Sequence, residues 1–282
     1  MRCRIVIPIL VAGAVSCASA QWLNYRDPQT PRTKDGKPNL SAPAPRASNG
    51  KPDLSGVWQA EPSPPEEFTR LFGDFSAFAV PGDDARTFPK YALNVLADFK
   101  PEEAPIRAAA KALFEERAKS LAKDFSTSHC LPGGITFEDG SGSPFPLKIV
   151  QGPRQIVVFY EIDGTHRQIY TDGRKHTPDP QPSWLGYSVG KWDADTLVVD
   201  TVGFNDKTWL DVFGHPHSEA LHLTERFHRR DFGHMDLQIT IDDPKMYTRP
   251  FAISYNERLL PDTDILETVC AENEKDRQHL AN

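Results

Sequence analysis

His215, His217, Glu219, His222 and Glu225 form the densest set of side chains in this chain able to hold a metal or move a proton. Imidazole titrates near neutral pH and is a common ligand of zinc, copper and iron. A His-x-His pair on a strand, with a carboxylate close by, would therefore present a divalent site. Pro216 interrupts that pair, and the wider spacing matches neither the His-Glu-x-x-His helix of metalloproteases nor the His-x-His and Glu pattern of cupins. The metal alternative accordingly rests on His215, His217 and His222. The preferred assignment is metal-free and needs no cofactor: His217 acts as general base, oriented by Glu225.

A pocket for a small, mostly apolar molecule uses aromatic walls and a few convergent polar groups. Tyr160, Tyr170, Trp184, Tyr187 and Trp192 supply the former here, and Arg167, Asp172 and Arg226 join His217 and Glu225 as the latter. The letters Gly-x-Ser-x-Gly occur at Gly186-Tyr187-Ser188-Val189-Gly190. A serine nucleophile needs a strand-to-helix elbow, and this Ser sits in a strand running into a β-turn, so a serine hydrolase is not expected. Phosphate-cradling glycine loops are absent. A net charge of −7 without a basic block argues against nucleic acid as partner.

The elements that must position these groups are mostly strands. Ser183–Phe204 reads as two β-branched strands around a turn at Asp193-Ala194-Asp195. Leu147–Val150, Gln155–Ile162, His166–Thr171, Leu221–Arg229, Met235–Asp242 and Phe251–Glu257 are also strand-like, with Asp163-Gly164 as a two-residue turn signal. Met235, Leu237, Ile239 and Ile241 alternate with polar neighbours, which puts one face on a core. About eight strands in up-and-down order predict an antiparallel β-barrel, with a β-sandwich as the alternative. A helical segment at about 64–125 precedes most of them: Glu66–Phe78, Lys90–Phe99, and Pro105–Phe125 with Ile106, Ala110, Leu113, Ala118 and Leu121 at helical spacing. The fold class is thus mainly β with an N-terminal helical segment.

Residues 1–20 carry Arg2 and Arg4, an apolar run from Ile5 to Val15, and Ala18-Ser19-Ala20, the pattern of a secretory signal cleaved near Gln21. The expected location is periplasmic or secreted, with lipid attachment at Cys17 as the alternative. The apolar run is too short for a membrane span. Export leaves Cys130 and Cys270, which an oxidising compartment would join; the alternative is a reactive thiol at Cys130 beside His129. Residues 21–55 are rich in Pro, Ser, Asn and Lys and read as an extended or disordered leader. Within it Asp35–Ser41 recurs as Asn49–Ser55, and residues 56–282 follow as one barrel domain.

The run from Arg167 to Arg174, Trp184 to Gly190, Trp192 to Asn205, Gly214 to Ser218, Glu225-Arg226-Phe227 and Thr240 to Pro244 resembles a family of secreted bacterial proteins to which no activity is attached. Gly56-x-Trp58 at the first strand is similar to the lipocalin-like barrels, whose Trp closes one barrel end. That resemblance implies a lipocalin-like barrel. Together these features predict an exported protein that binds a small, mostly apolar molecule in a barrel lumen. The alternatives are a cofactor-independent hydrolase, lyase or isomerase using the His/Glu pair, and a metal-binding protein.

Overall fold

Alternation of apolar and polar side chains rolls the strands into a closed barrel in the order β1 to β9. The strands are β1 (Gly56–Ala60), β2 (Leu147–Gln151), β3 (Gln155–Tyr160), β4 (His166–Tyr170), β5 (Tyr187–Asp193), β6 (Thr196–Val202), β7 (His222–Arg229), β8 (His234–Asp242) and β9 (Phe251–Leu259). This computed structural model describes residues 25–73, 88–120, 123–140 and 145–270; the expected signal at 1–20 lies outside them. Inward-facing side chains such as Ile156, Val158, Ile169, Leu197, Val199, Leu237, Ile239 and Ile253 are buried in one core. Closure leaves no long sheet edge, since β1 pairs with both β2 and β9.

The pairings are antiparallel except one, because β4 and β5 run parallel. Strict up-and-down order was expected, and the chain departs from it at residues 171–186. Pro178, Pro180 and Pro182 in that stretch cannot donate to a ladder. The chain therefore crosses back along the barrel before β5 begins, instead of turning tightly.

Two different devices close the barrel ends. At one end Trp58 is fully buried and its Nε1–H donates to the Leu54 carbonyl at 2.9 Å. The Arg229 guanidinium lies 4.8 Å from that ring and donates to the carbonyls of Asp53, Ser55, Asp231 and Phe232. Burial, only partly offset by Asp53 and Asp231, lowers the Arg229 pKa to about 10. The leader straps this end as two ordered turns where an extended or disordered segment was expected. In one, the Thr33 amide bonds the Lys37 carbonyl, with Gly36 at φ 82°; in the other, Ala47 bonds Lys51, with Gly50 at φ 76°. Only glycine takes such angles without strain. Each copy then reaches out through an arginine, Arg32 to Asp262 at 2.5 Å and Arg46 to Asp195 at 2.6 Å. Local polar bonding orders this segment, so apolar periodicity gave no sign of it.

A plug fills the opposite end. The short helix Ile135–Glu138 has all four residues buried, and the Tyr255 hydroxyl donates to the Thr136 carbonyl at 3.0 Å. Residues 205–221 lie beside it, held by Tyr247, whose hydroxyl donates to the Pro216 carbonyl at 2.9 Å. Outside sit α1 (Pro65–Phe72), α2 (Lys90–Leu93) and α3 (Ala108–Lys119), each shorter than the sequence pattern suggested. In α3 only Ala110 is fully buried; Leu121 lies outside the described residues. The plug helix above, α4 in chain order, follows a 3₁₀ turn at Ser126–His129. Cys130 and Cys270 form a disulfide with Cα atoms 5.5 Å apart, which ties this region to the segment after β9. Among the described residues no helix is long and apolar enough to cross a membrane.

Candidate functional site

The parallel seam is the weakest joint in the wall. Strands β4 and β5 meet through two residue pairs, Ile169 with Ser188 and Tyr170 with Val189, whereas β8 and β9 meet through eight. Where they part, a cleft of about 600 Å³ opens. Gly186 at φ 62° carries the chain into it, because a Cβ there would meet the Val202 carbonyl at 2.9 Å. Four of the expected ligand residues line this cleft: Arg167, Tyr170, Trp184 and Tyr187. Cations flank its aromatics. The Arg174 guanidinium lies 3.7 Å from the Tyr170 ring and the Lys207 ammonium 5.8 Å from the Trp184 ring.

The other four expected ligand residues stand elsewhere. Tyr160 is buried inside the barrel. Asp172 pairs on the surface with Arg174 and Arg154, and those bonds hold its carboxyl well below the usual range. Trp192 packs against the core, and Arg226 pairs with Asp193 on the outer face.

Behind the cleft lies a polar layer that crosses the barrel interior. Arg167 on β4 donates to both Glu225 oxygens on β7 at 3.0 and 2.6 Å, and to Asp139 at 3.3 Å. Asp139 also accepts from the Tyr160 hydroxyl at 2.6 Å. The Ser188 and Thr201 hydroxyls are 2.9 Å apart, and Thr201 reaches Glu225 at 3.4 Å. Hydrogen bonds thus run from Ser188, which lines the cleft, to the central ion pair. Burial raises the Asp139 pKa, aided by Glu225 and opposed by Arg167. Burial disfavours the Arg167 charge, yet Glu225, Tyr160 and Asp139 outweigh it and raise its pKa. Arg167 Nε and both carboxyl oxygens of Glu257 are buried without a hydrogen-bond partner.

The expected catalytic pair is not brought together as a hydrogen-bonded unit. His217 is held by the Thr208 hydroxyl at 2.6 Å and the Ser218 carbonyl at 3.2 Å, while both Glu225 oxygens are engaged by Arg167. Burial lowers the His217 pKa. His215, His217 and His222 likewise stay apart in their bonding. His215 holds Asp211, and His222 shares Asp200 with His176. The described residues contain no group of three or more His, Cys, Asp or Glu arranged to hold a metal ion.

Sequence reasoning missed Asp139 and Thr201, and weighed Ser188 only as a nucleophile. Asp139 sits in a glycine-rich stretch that reads as loop, and no local spacing connects it to residues 28 and 86 positions away, Arg167 and Glu225. A second cavity of about 500 Å³ lies beneath the strap, and two of its carboxylates are already paired, Asp262 with Arg32 and Asp264 with Lys148. The chain matches no protein-family model, no curated protein and no solved structure.

Proposed function

We propose that this is an exported protein with a lipocalin-like barrel that binds a small, mostly apolar molecule at the β4–β5 seam, one end of the molecule reaching the lumen groups. The single observation that carries this reading is the convergence of Tyr170, Trp184 and Tyr187 with Arg167 on one cleft of about 600 Å³. That volume lies in the usual range for small-molecule sites, and aromatic walls with few polar groups are their usual lining. Support for the lipocalin-like part is the buried Trp58 under Arg229 at the closed end. Support for export is the disulfide between Cys130 and Cys270.

The test is titration with 1-anilinonaphthalene-8-sulfonate, an aromatic probe, alongside native mass spectrometry of the mature protein for a co-purified organic molecule. Wild type takes up one dye. The substitution Trp184→Ala raises Kd about tenfold, the loss of one aromatic wall being worth about 1.4 kcal/mol. An unchanged Kd in Trp184→Ala and in Tyr187→Ala places binding elsewhere and overturns the reading.

A further inference from the structure

We infer that His215 is a general base for acyl-ester hydrolysis, positioned by Asp211 in a second site beneath α3. Its Nδ1 lies 2.5 Å from Asp211 Oδ2. Asp211 is itself fully buried and clamped by three backbone amides: Val95 at 2.7 Å, Gly214 at 2.9 Å and His215 at 3.1 Å. A carboxylate held by three donors has no freedom to swing away. The contact fixes the proton on Nδ1 and leaves the Nε2 lone pair to accept another. The Phe114 ring of α3 stacks on the imidazole with centroids 4.2 Å apart and planes within 16°, which fixes the ring's orientation.

Comparison with His217, two residues on, separates a structural histidine from one built to act. Each is 3% exposed. His217 spends both ring nitrogens on Thr208 and Ser218. His215 spends Nδ1 on Asp211, and Nε2 is not among the buried polar atoms left without a partner, so it is open to solvent rather than sealed in the core. An imidazole whose far nitrogen is free, with a fixed carboxylate on the near one, is the base-and-orienter unit of nucleophilic and hydrolytic sites.

The surroundings indicate the substrate class. Phe114 and Trp209 flank the segment from Gly214 to Pro216, and these apolar rings suit a small, apolar acyl group. Arg117 lies beside it, donating to the Gly214 carbonyl at 3.4 Å with its guanidinium 5.0 Å from the Trp209 ring. A guanidinium there stabilises the negative charge that develops on an ester oxygen. In the step, water oxygen attacks the acyl carbon as Nε2 takes its proton. The carbon–oxygen bond to the alcohol then breaks, and Nε2 returns the proton to the departing oxygen. Water is the only co-reactant, and no electrons change hands.

Two measurements on the mature, disulfide-bonded protein test this. Diethyl pyrocarbonate labelling with peptide mapping modifies His215 in the folded wild type and spares His217. Wild type hydrolyses p-nitrophenyl acetate above the buffer rate, and His215→Gln lowers kcat/KM at least about 100-fold, the usual weight of a general base. Asp211→Asn lowers kcat with KM unchanged, as a positioning role requires and a mere loss of folded protein at saturating binding does not mimic in KM-matched, active-fraction-corrected rates. The exposed His228→Gln leaves the rate intact. An unlabelled His215, a wild type no faster than buffer, or a His215→Gln variant with full kcat/KM overturns the assignment. Where that variant does not fold, wild-type labelling and turnover decide.

Discussion

Replacing Glu257 by Gln raises stability at neutral pH, and the gain grows with pH. Glu257 lies on the inward face of β9, between Tyr255 and Leu259, fully buried with neither carboxyl oxygen bonded. Burial, then the nearby charges of Asp139 and Glu61, pushes its pKa well above the ordinary 4.5. The folded chain therefore keeps a proton that the unfolded chain releases above that value. The sign follows: this group's contribution is fully present below 4.5 and is lost as pH rises towards the folded value. One proton of linkage is worth about 1.4 kcal/mol for each pH unit over which the folded chain holds the proton and the unfolded chain does not. Gln keeps the shape and has no proton to lose. Urea unfolding of both proteins, disulfide intact, at several values from about pH 5 to about pH 7 reads the difference as a widening gap in midpoint at constant m. Parallel stability curves would refute the reasoning, because they would mean that Glu257 is ionised in the folded state or bonded to something in the barrel.

Two further outcomes concern the same scaffold. Removing one partner of the buried pair, by Arg167→Met or Glu225→Leu, costs about 3–5 kcal/mol, while the double variant costs far less than the sum; a double-mutant cycle in urea with additive losses would contradict the pairing. Replacing Cys130 and Cys270 by Ser opens a link between positions 140 apart. In the chain-entropy model that costs about 5 kcal/mol, of which about 2–5 is typically realised, and an unchanged thermal midpoint would show that the bridge does not constrain the protein in solution.

Period-two alternation made most of the barrel legible. Met235 to Ile241 pairs with both neighbours at every residue, while Asp163-Gly164 lies within a five-residue connection, 161–165, where a two-residue turn was expected, with Gly164 at φ 67°. The same alternation marks Glu257 as inward, since it continues the phase of Phe251, Ile253 and Tyr255. Of the eight ligand residues expected, aromatic type and strand position found the four now on one cleft. What stayed hidden depends on pairing across the barrel. Arg167, Glu225 and Asp139 meet only because β4, β7 and the plug helix surround one interior, and no local spacing encodes that. The Asp211–His215 unit is local, four residues apart, yet it was obscured by His217, which has the more familiar Glu225 downstream.

The crossover at residues 171–186 does more than reverse one strand. Trp58 with Arg229 seals one barrel end, the plug helix fills the other, and side chains fill the interior between them. On the proposed function, the bound molecule would enter through the wall. Local opening starts where the fewest ladder bonds hold, and two residue pairs join β4 to β5 while seven join β5 to β6. On the proposed binding, the crossover that carries the three prolines also marks the place of entry. Arg167 stands at that place with one face toward the cleft and its guanidinium fixed by Glu225 and Asp139. On that proposal, fraying of the seam would expose a charged group already oriented, and binding there would spend little on ordering the Arg167 side chain.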